Sequence, residues 1–172
     1  MTARLFAIVR TLIVGTAFVS LWTWFLPRWI IGRGAFDHPR PFGWIVIGCG
    51  GVIAIGCAFE FAWRGIGTPA PFDPPRRLVI SGPYRWVRNP MYVGLGIVFA
   101  GQALTFPRLT MLMLAMIVIA WCATTLFIIG FEEPVLRAKF GEDYVEYCRH
   151  VRRWIPRWRP WLRTLDVSPG DL

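Results

Sequence analysis

Histidine, cysteine and acid are all scarce in this chain. Two His and four Cys occur in 172 residues. With no Cys-x-x-Cys and no His at ligand spacing, they leave no basis for a metal site or a disulfide framework. Cys49 and Cys57 sit in one apolar run, Cys122 in another and Cys148 towards the end. His38 and His150 are far apart in sequence and read as loop or surface residues, not as catalytic ones. Ten Asp and Glu stand against nineteen Lys and Arg, a formal net charge of +9. The basic residues flank apolar runs instead of lining a soluble face, so the excess fits an anionic leaflet and not nucleic acid. Charge is also nearly missing from the apolar runs, where Arg10 and Glu60 stand near the ends. Snorkelling accounts for both, and Glu60 has Arg64 one turn on. A cleavable leader is not indicated: the first apolar run is too long, and Pro27-Arg28 follows where small residues would be expected.

What is abundant is apolar surface. The composition is 55% hydrophobic and 16% aromatic with ten Trp, more than a soluble domain of this size carries. Runs of about twenty apolar residues, enough to cross the hydrocarbon core, occupy 5–26, 42–63 and 109–131. A shorter run, 91–106, makes about 24 Å of helix, and Pro107-Arg108 joins it to the next with almost no loop, which predicts a tight hairpin. The expected fold is all-α: one polytopic membrane domain over 1–172, with two N-terminal spans within 1–66 and two more within 76–160. Gly48, Gly50, Gly51 and Gly56 in the second span predict close helix contact. Five Arg and one Asp in 64–90, and seven Arg and one Lys after Glu133, place both segments in the cytoplasm, and an even span count puts the N-terminus there too. Arg4 agrees; Arg28, Arg33 and Arg40 in the first loop run against it.

Polar residues converge at two places. In "GPYRWVRNPMYVGLG", residues 82–96, Asn89-Pro90 marks a helix start, since Pro suits the first turn and disfavours α geometry before it. The free amides of that turn can serve a polar ligand, and Gly94 and Gly96 allow close approach of a backbone or a flat ligand. The hairpin returns to the same surface at "FEEPVLRAKFGEDYVEY". Glu132-Glu133 can be favourable charge at the N-terminus of a helix begun by Pro134. Two adjacent carboxylates at a membrane boundary are otherwise expensive without a cation or a hydroxyl-rich ligand. Leu136, Phe140, Tyr144, Tyr147 and Val151 then recur at helical spacing, predicting an amphipathic helix on the membrane surface. "RRWIPRWRPW", residues 152–161, alternates Arg with Trp as an interfacial anchor does.

"SGPYRWVRNPMYVG", a helical hairpin, and then "EEPVLRAKFGEDYVEYCRHVRRWIP" together resemble the isoprenylcysteine carboxyl methyltransferase and phospholipid methyltransferase family of membrane enzymes. The likeness covers roughly 76–160, with two motifs in order; the first two spans match only as hydrophobic segments. The resemblance implies S-adenosylmethionine bound at the cytosolic boundary by Arg76, Arg77, Leu78, Val79, Tyr84, Asn89, Pro90, Met91, Tyr92, Gly94, Gly96, Glu132 and Glu133. It also implies a lipophilic or lipid acceptor, with Tyr92 and Glu133 the nearest groups to take a proton from an amine, and neither metal nor nucleic acid as partner. No oligomeric state is implied. This cofactor is a sulfonium without phosphates, so carboxylates suit it. Two departures stand out: Asn89 replaces a frequent His, and Ile128 replaces the arginine that holds the substrate carboxylate in prenylcysteine enzymes, which argues against that acceptor. Sterol reductases resemble the same region, and Arg76, Arg77, Arg85 and Arg88 could seat NADPH phosphates. A membrane protein without catalysis is the third alternative.

Overall fold

The computed structural model describes residues 19–60 and 78–162, together with Val9, Ile13, Thr16 and Ala17. Part of the first expected span, and Arg10, Arg64, Arg76 and Arg77, lie outside the described residues. Within them the chain is all-helical. A π-turn, Leu21–Phe25, leads into α1 (Leu26–Ile31). Next come a 3-10 turn at Arg33–Phe36, α2 (Phe42–Glu60), a 3-10 turn at Gly82–Arg85 and α3 (Pro90–Thr105). A 3-10 turn at Pro107–Leu109, α4 (Thr110–Phe127), a π segment Ile128–Glu132 and α5 (Glu133–His150) complete the order.

Among the described residues, two helices are long and apolar enough to cross a membrane: α2, and the continuous helix Pro107–His150 that contains α4. Only 17% of the apolar window of each is buried within the protein. A soluble core helix would be mostly covered, so these faces suit lipid. α3 is apolar but shorter.

α2 and α3 pack backbone to backbone, and glycine makes that possible. A Cβ on Gly50 would lie 2.7 Å from the Gly94 carbonyl oxygen, and one on Gly94 2.9 Å from that of Gly50. A Cβ on Gly43 would meet the Gly101 oxygen at 2.6 Å, and one on Gly101 the Ile47 nitrogen at 2.7 Å. The pairs 43/101 and 50/94 run in opposite senses, so the helices are antiparallel neighbours at small-residue distance. Of the four glycines expected to make contact, Gly50 does so, while Gly48, Gly51 and Gly56 face open space. Gly50→Ala is therefore expected to destabilise by about 1–3 kcal/mol through overpacking, whereas Gly51→Ala leaves the melting temperature in detergent unchanged or higher.

One end of the bundle is closed by loop contacts. Arg108 pairs with Asp37 at 3.0 Å and also donates to the Gly34 carbonyl, and the Arg40 amide donates to Thr105 O at 2.8 Å. Ala35, Phe99, Ala103, Phe106, Leu109, Met113 and Met116 form the core here, with Phe36 stacked on Trp24 at 4.6 Å. The short 3-10 connection joins α3 to α4 as the expected hairpin.

At the other end, α4 does not stop at the acids. The Glu133 amide reaches Ile128 O, five residues back. Pro134 follows with no N–H to give, so a widened turn carries the helix past the proline without a break. The corner expected at Pro134 falls instead at Gly141, whose φ of 54° and ψ of −130° interrupt α5. That left-handed φ is strained for any residue with a Cβ. The helix from 110 to 140 is about 45 Å long at 1.5 Å per residue, more than the ~30 Å hydrocarbon core.

Candidate functional site

Between the 82–90 loop, the π segment and α5 lies a cleft, open on one side, with a cavity volume of about 60 Å³. Leu78, Val79, Ile128 and Leu136 supply its apolar wall, and Tyr84, Arg88, Asn89, Glu132, Glu133, Tyr144 and Tyr147 its polar one. The two motifs that sequence placed at one membrane surface thus share one cleft. The loop is built around Gly82, whose φ of 52° sets the turn, and around Ser81, whose hydroxyl donates to Glu60 at the end of α2 at 2.7 Å. Asn89 precedes the proline that opens α3, as the Asn-Pro pair requires.

The segment after α5 is fastened to this loop by a ladder of main-chain bonds. The Arg88 amide donates to Arg152 O at 2.9 Å, Arg157 to Trp86 O at 2.9 Å and Trp161 to Arg85 O at 3.0 Å. The Asn89 side-chain amide adds a bond to Arg153 O at 3.2 Å, and the Tyr147 hydroxyl donates to Tyr84 O at 2.7 Å. Trp161 closes the ladder by stacking on His150 at 5.0 Å. Residues 152–161 therefore form a strap across one side of the cleft.

The two adjacent acids have different surroundings. Glu133 is buried, and its Oε1 accepts from Arg88 Nη1 at 3.1 Å and Arg153 Nε at 2.8 Å, with Arg137 3.9 Å from Oε2. Its charge is compensated three times over, and its hydrogen bond holds the Arg153 guanidinium above its ordinary pKa against a smaller opposing effect of burial. Glu132 is half-buried in the cleft wall, and among the described residues it makes no hydrogen bond or ion pair. Its charge is felt by Tyr84 and Tyr92. Burial, and then the neighbouring charges of Cys57, Tyr147, Glu132 and Tyr92, push the Tyr84 phenol well above its ordinary pKa, so it is an O–H donor at physiological pH. Arg88 Nε is buried with no hydrogen-bond partner among the described residues. Among the described residues the cleft thus offers a carboxylate without a counterion beside one buried donor, Arg88 Nε, without an acceptor.

Of the residues that sequence pointed to, Leu78, Val79, Tyr84, Asn89, Glu132 and Glu133 line the cleft. Pro90, Met91 and Tyr92 form the adjoining first turn of α3 without lining it, and the Tyr92 ring stands 6.4 Å from that of Trp154. Gly94 lies against Gly50 and Gly96 faces open space, so neither is in the wall. Arg76 and Arg77 lie outside the described residues. Not foreseen as site residues were Tyr144 and Tyr147, which helical spacing had marked only as an apolar face, and Arg153, which looked like part of an anchor. Among the described residues no group of His, Cys, Asp and Glu could hold a metal ion.

The model of the phospholipid methyltransferase family matches residues 40–143. The match takes in α2, α3, α4, the first motif, the second motif as far as Asp143 and most of the cleft, and leaves the rest of α5 and the strap beyond it. No curated protein and no solved structure matches the chain.

Proposed function

We propose, from the premise that the chain belongs to the phospholipid methyltransferase family, that this membrane methyltransferase uses the cleft to carry a methyl group from S-adenosylmethionine to a lipophilic acceptor. The observation that carries the assignment is Glu132: a half-buried carboxylate with no counterion among the described residues is favourable where a cationic ligand completes it. The donor set fits the same cofactor. Tyr84 O–H and Arg88 Nε can meet its carboxylate and ribose oxygens, and Leu78, Val79, Ile128 and Leu136 give a flat base an apolar slot. When bound, the cofactor supplies a methyl carbon already activated by a sulfonium.

What remains for the protein is to hold, orient and exclude water. Glu132 holds positive charge at the mouth. Glu133, tied to Arg88 and Arg153, acts best as a positioning residue that fixes the loop and strap, and Tyr92, near Glu132, keeps its phenol proton and serves as a hydrogen-bond donor beside the mouth. The same reading has four spans, both termini in the cytoplasm, α5 beyond Gly141 along the membrane surface, the acceptor entering from the bilayer, and Arg76 and Arg77 joining the cofactor. Ile128, buried in the cleft wall, offers no charge to an acceptor carboxylate. Titration calorimetry of the purified protein tests the assignment: S-adenosylhomocysteine binds and NADPH does not. NADPH binding alone would turn the chain into a reductase, and binding of neither would leave it without catalysis.

A further inference from the structure

The strap has a second face. The side chains of Arg149, Arg152 and Arg159 are exposed, and among the described residues none of the three guanidinium groups makes an ion pair or hydrogen bond. Trp158, in the same stretch, is 98% exposed, and Ile155 and Leu162 are exposed beside it. No acid occurs between Val151 and Leu162. Arginine without counterions, interleaved with free aromatic and aliphatic side chains, is the composition that seats at a lipid headgroup layer of opposite charge. The place fits as well, because the strap is bonded to Trp86, Arg88 and Asn89, and Pro90 starts the apolar α3 next to them.

We infer that this face binds the anionic headgroups of the protein's own membrane, and that the contact controls the cofactor cleft. The coupling has a defined route. The strap's inner face holds the Arg88 amide through Arg152 O, the Asn89 side chain through Arg153 O, and Glu133 through the Arg153 guanidinium. Arg88, Asn89 and Glu133 all line the cleft. Anchoring the outer face favours the fastened strap over the released one, and any ligand that needs an ordered wall gains by the same factor. The coupling rests on the methyltransferase assignment; the lipid contact does not.

The test compares the full-length protein in nanodiscs of phosphatidylcholine alone with nanodiscs that also contain phosphatidylglycerol. Hydrogen exchange over residues 152–161 slows in the anionic discs, and S-adenosylhomocysteine binds about fivefold tighter or more, the scale of one or two arginines at an anionic surface. Arg152→Gln with Arg159→Gln removes both lipid effects while leaving affinity in neutral discs as it was, since the main-chain ladder and Arg153 are untouched. Equal exchange in the two lipids overturns the contact. Slowed exchange with equal affinity overturns the coupling and leaves the methyltransferase assignment standing. If S-adenosylhomocysteine binds in neither disc, the assignment falls and the coupling with it, while the exchange result still decides the contact.

Discussion

Replacing Glu132 by Gln weakens S-adenosylmethionine binding by about 30-fold or more, the equivalent of about 2 kcal/mol for removing one partner of a desolvated charge pair, and leaves the melting temperature without ligand where it was or raises it, because burial and the Glu133 charge disfavour the ionised carboxylate. The combination is unusual for a half-buried charge. It follows because no hydrogen bond or ion pair among the described residues is broken by the change. A Glu132 that mattered only for folding would give the opposite pattern, a lower melting temperature with affinity intact. Calorimetric titration beside a thermal melt in the same detergent separates the two.

Glu133→Gln reverses the result. Gln keeps the shape and removes the charge that faces Arg88, Arg153 and, farther off, Arg137. Breaking a buried pair by neutralising one side leaves the other uncompensated and costs about 3 kcal/mol; for a chain of this length the melting temperature falls by about 6–10 °C. The strap is released at its inner end, so amide exchange at residues 152–157 rises together with the loss of stability. Arg153→Gln in the Glu133→Gln background recovers part of the loss, because one stranded cation is then gone. If Glu133→Gln alone melts like the wild type, the three arginines are not what holds this corner.

Much of the site was legible because its chemistry is local. Asn89-Pro90 announces a helix start in any context, and the acids follow an apolar run of fixed length, so both motifs could be placed at one boundary before their distance was known. Glycine was less legible. Gly50 and Gly94 are in contact, but nothing in either helix alone distinguishes them from Gly51 and Gly96, which face open space; the distinction needs the antiparallel register of α2 on α3. Pro134 misled because proline usually ends a helix, whereas the π segment before it absorbs the missing hydrogen bond and moves the corner to Gly141. The different surroundings of Glu132 and Glu133 were not legible at all. They depend on Arg88 and Arg153, brought in by main-chain bonds between segments more than sixty residues apart, which no pattern along the chain encodes.

A cryo-electron microscopy structure of the protein with S-adenosylhomocysteine, in a nanodisc, tests most directly whether loop and acids form one cofactor site. The ligand should lie between Tyr84, Asn89 and Glu132, with its amino acid end towards Glu132 and Arg88 and its base against Leu78 and Leu136. Density for the ligand at the opposite end of the bundle, near Asp37 and Arg108, or in a pocket that Glu132 does not touch, would contradict it.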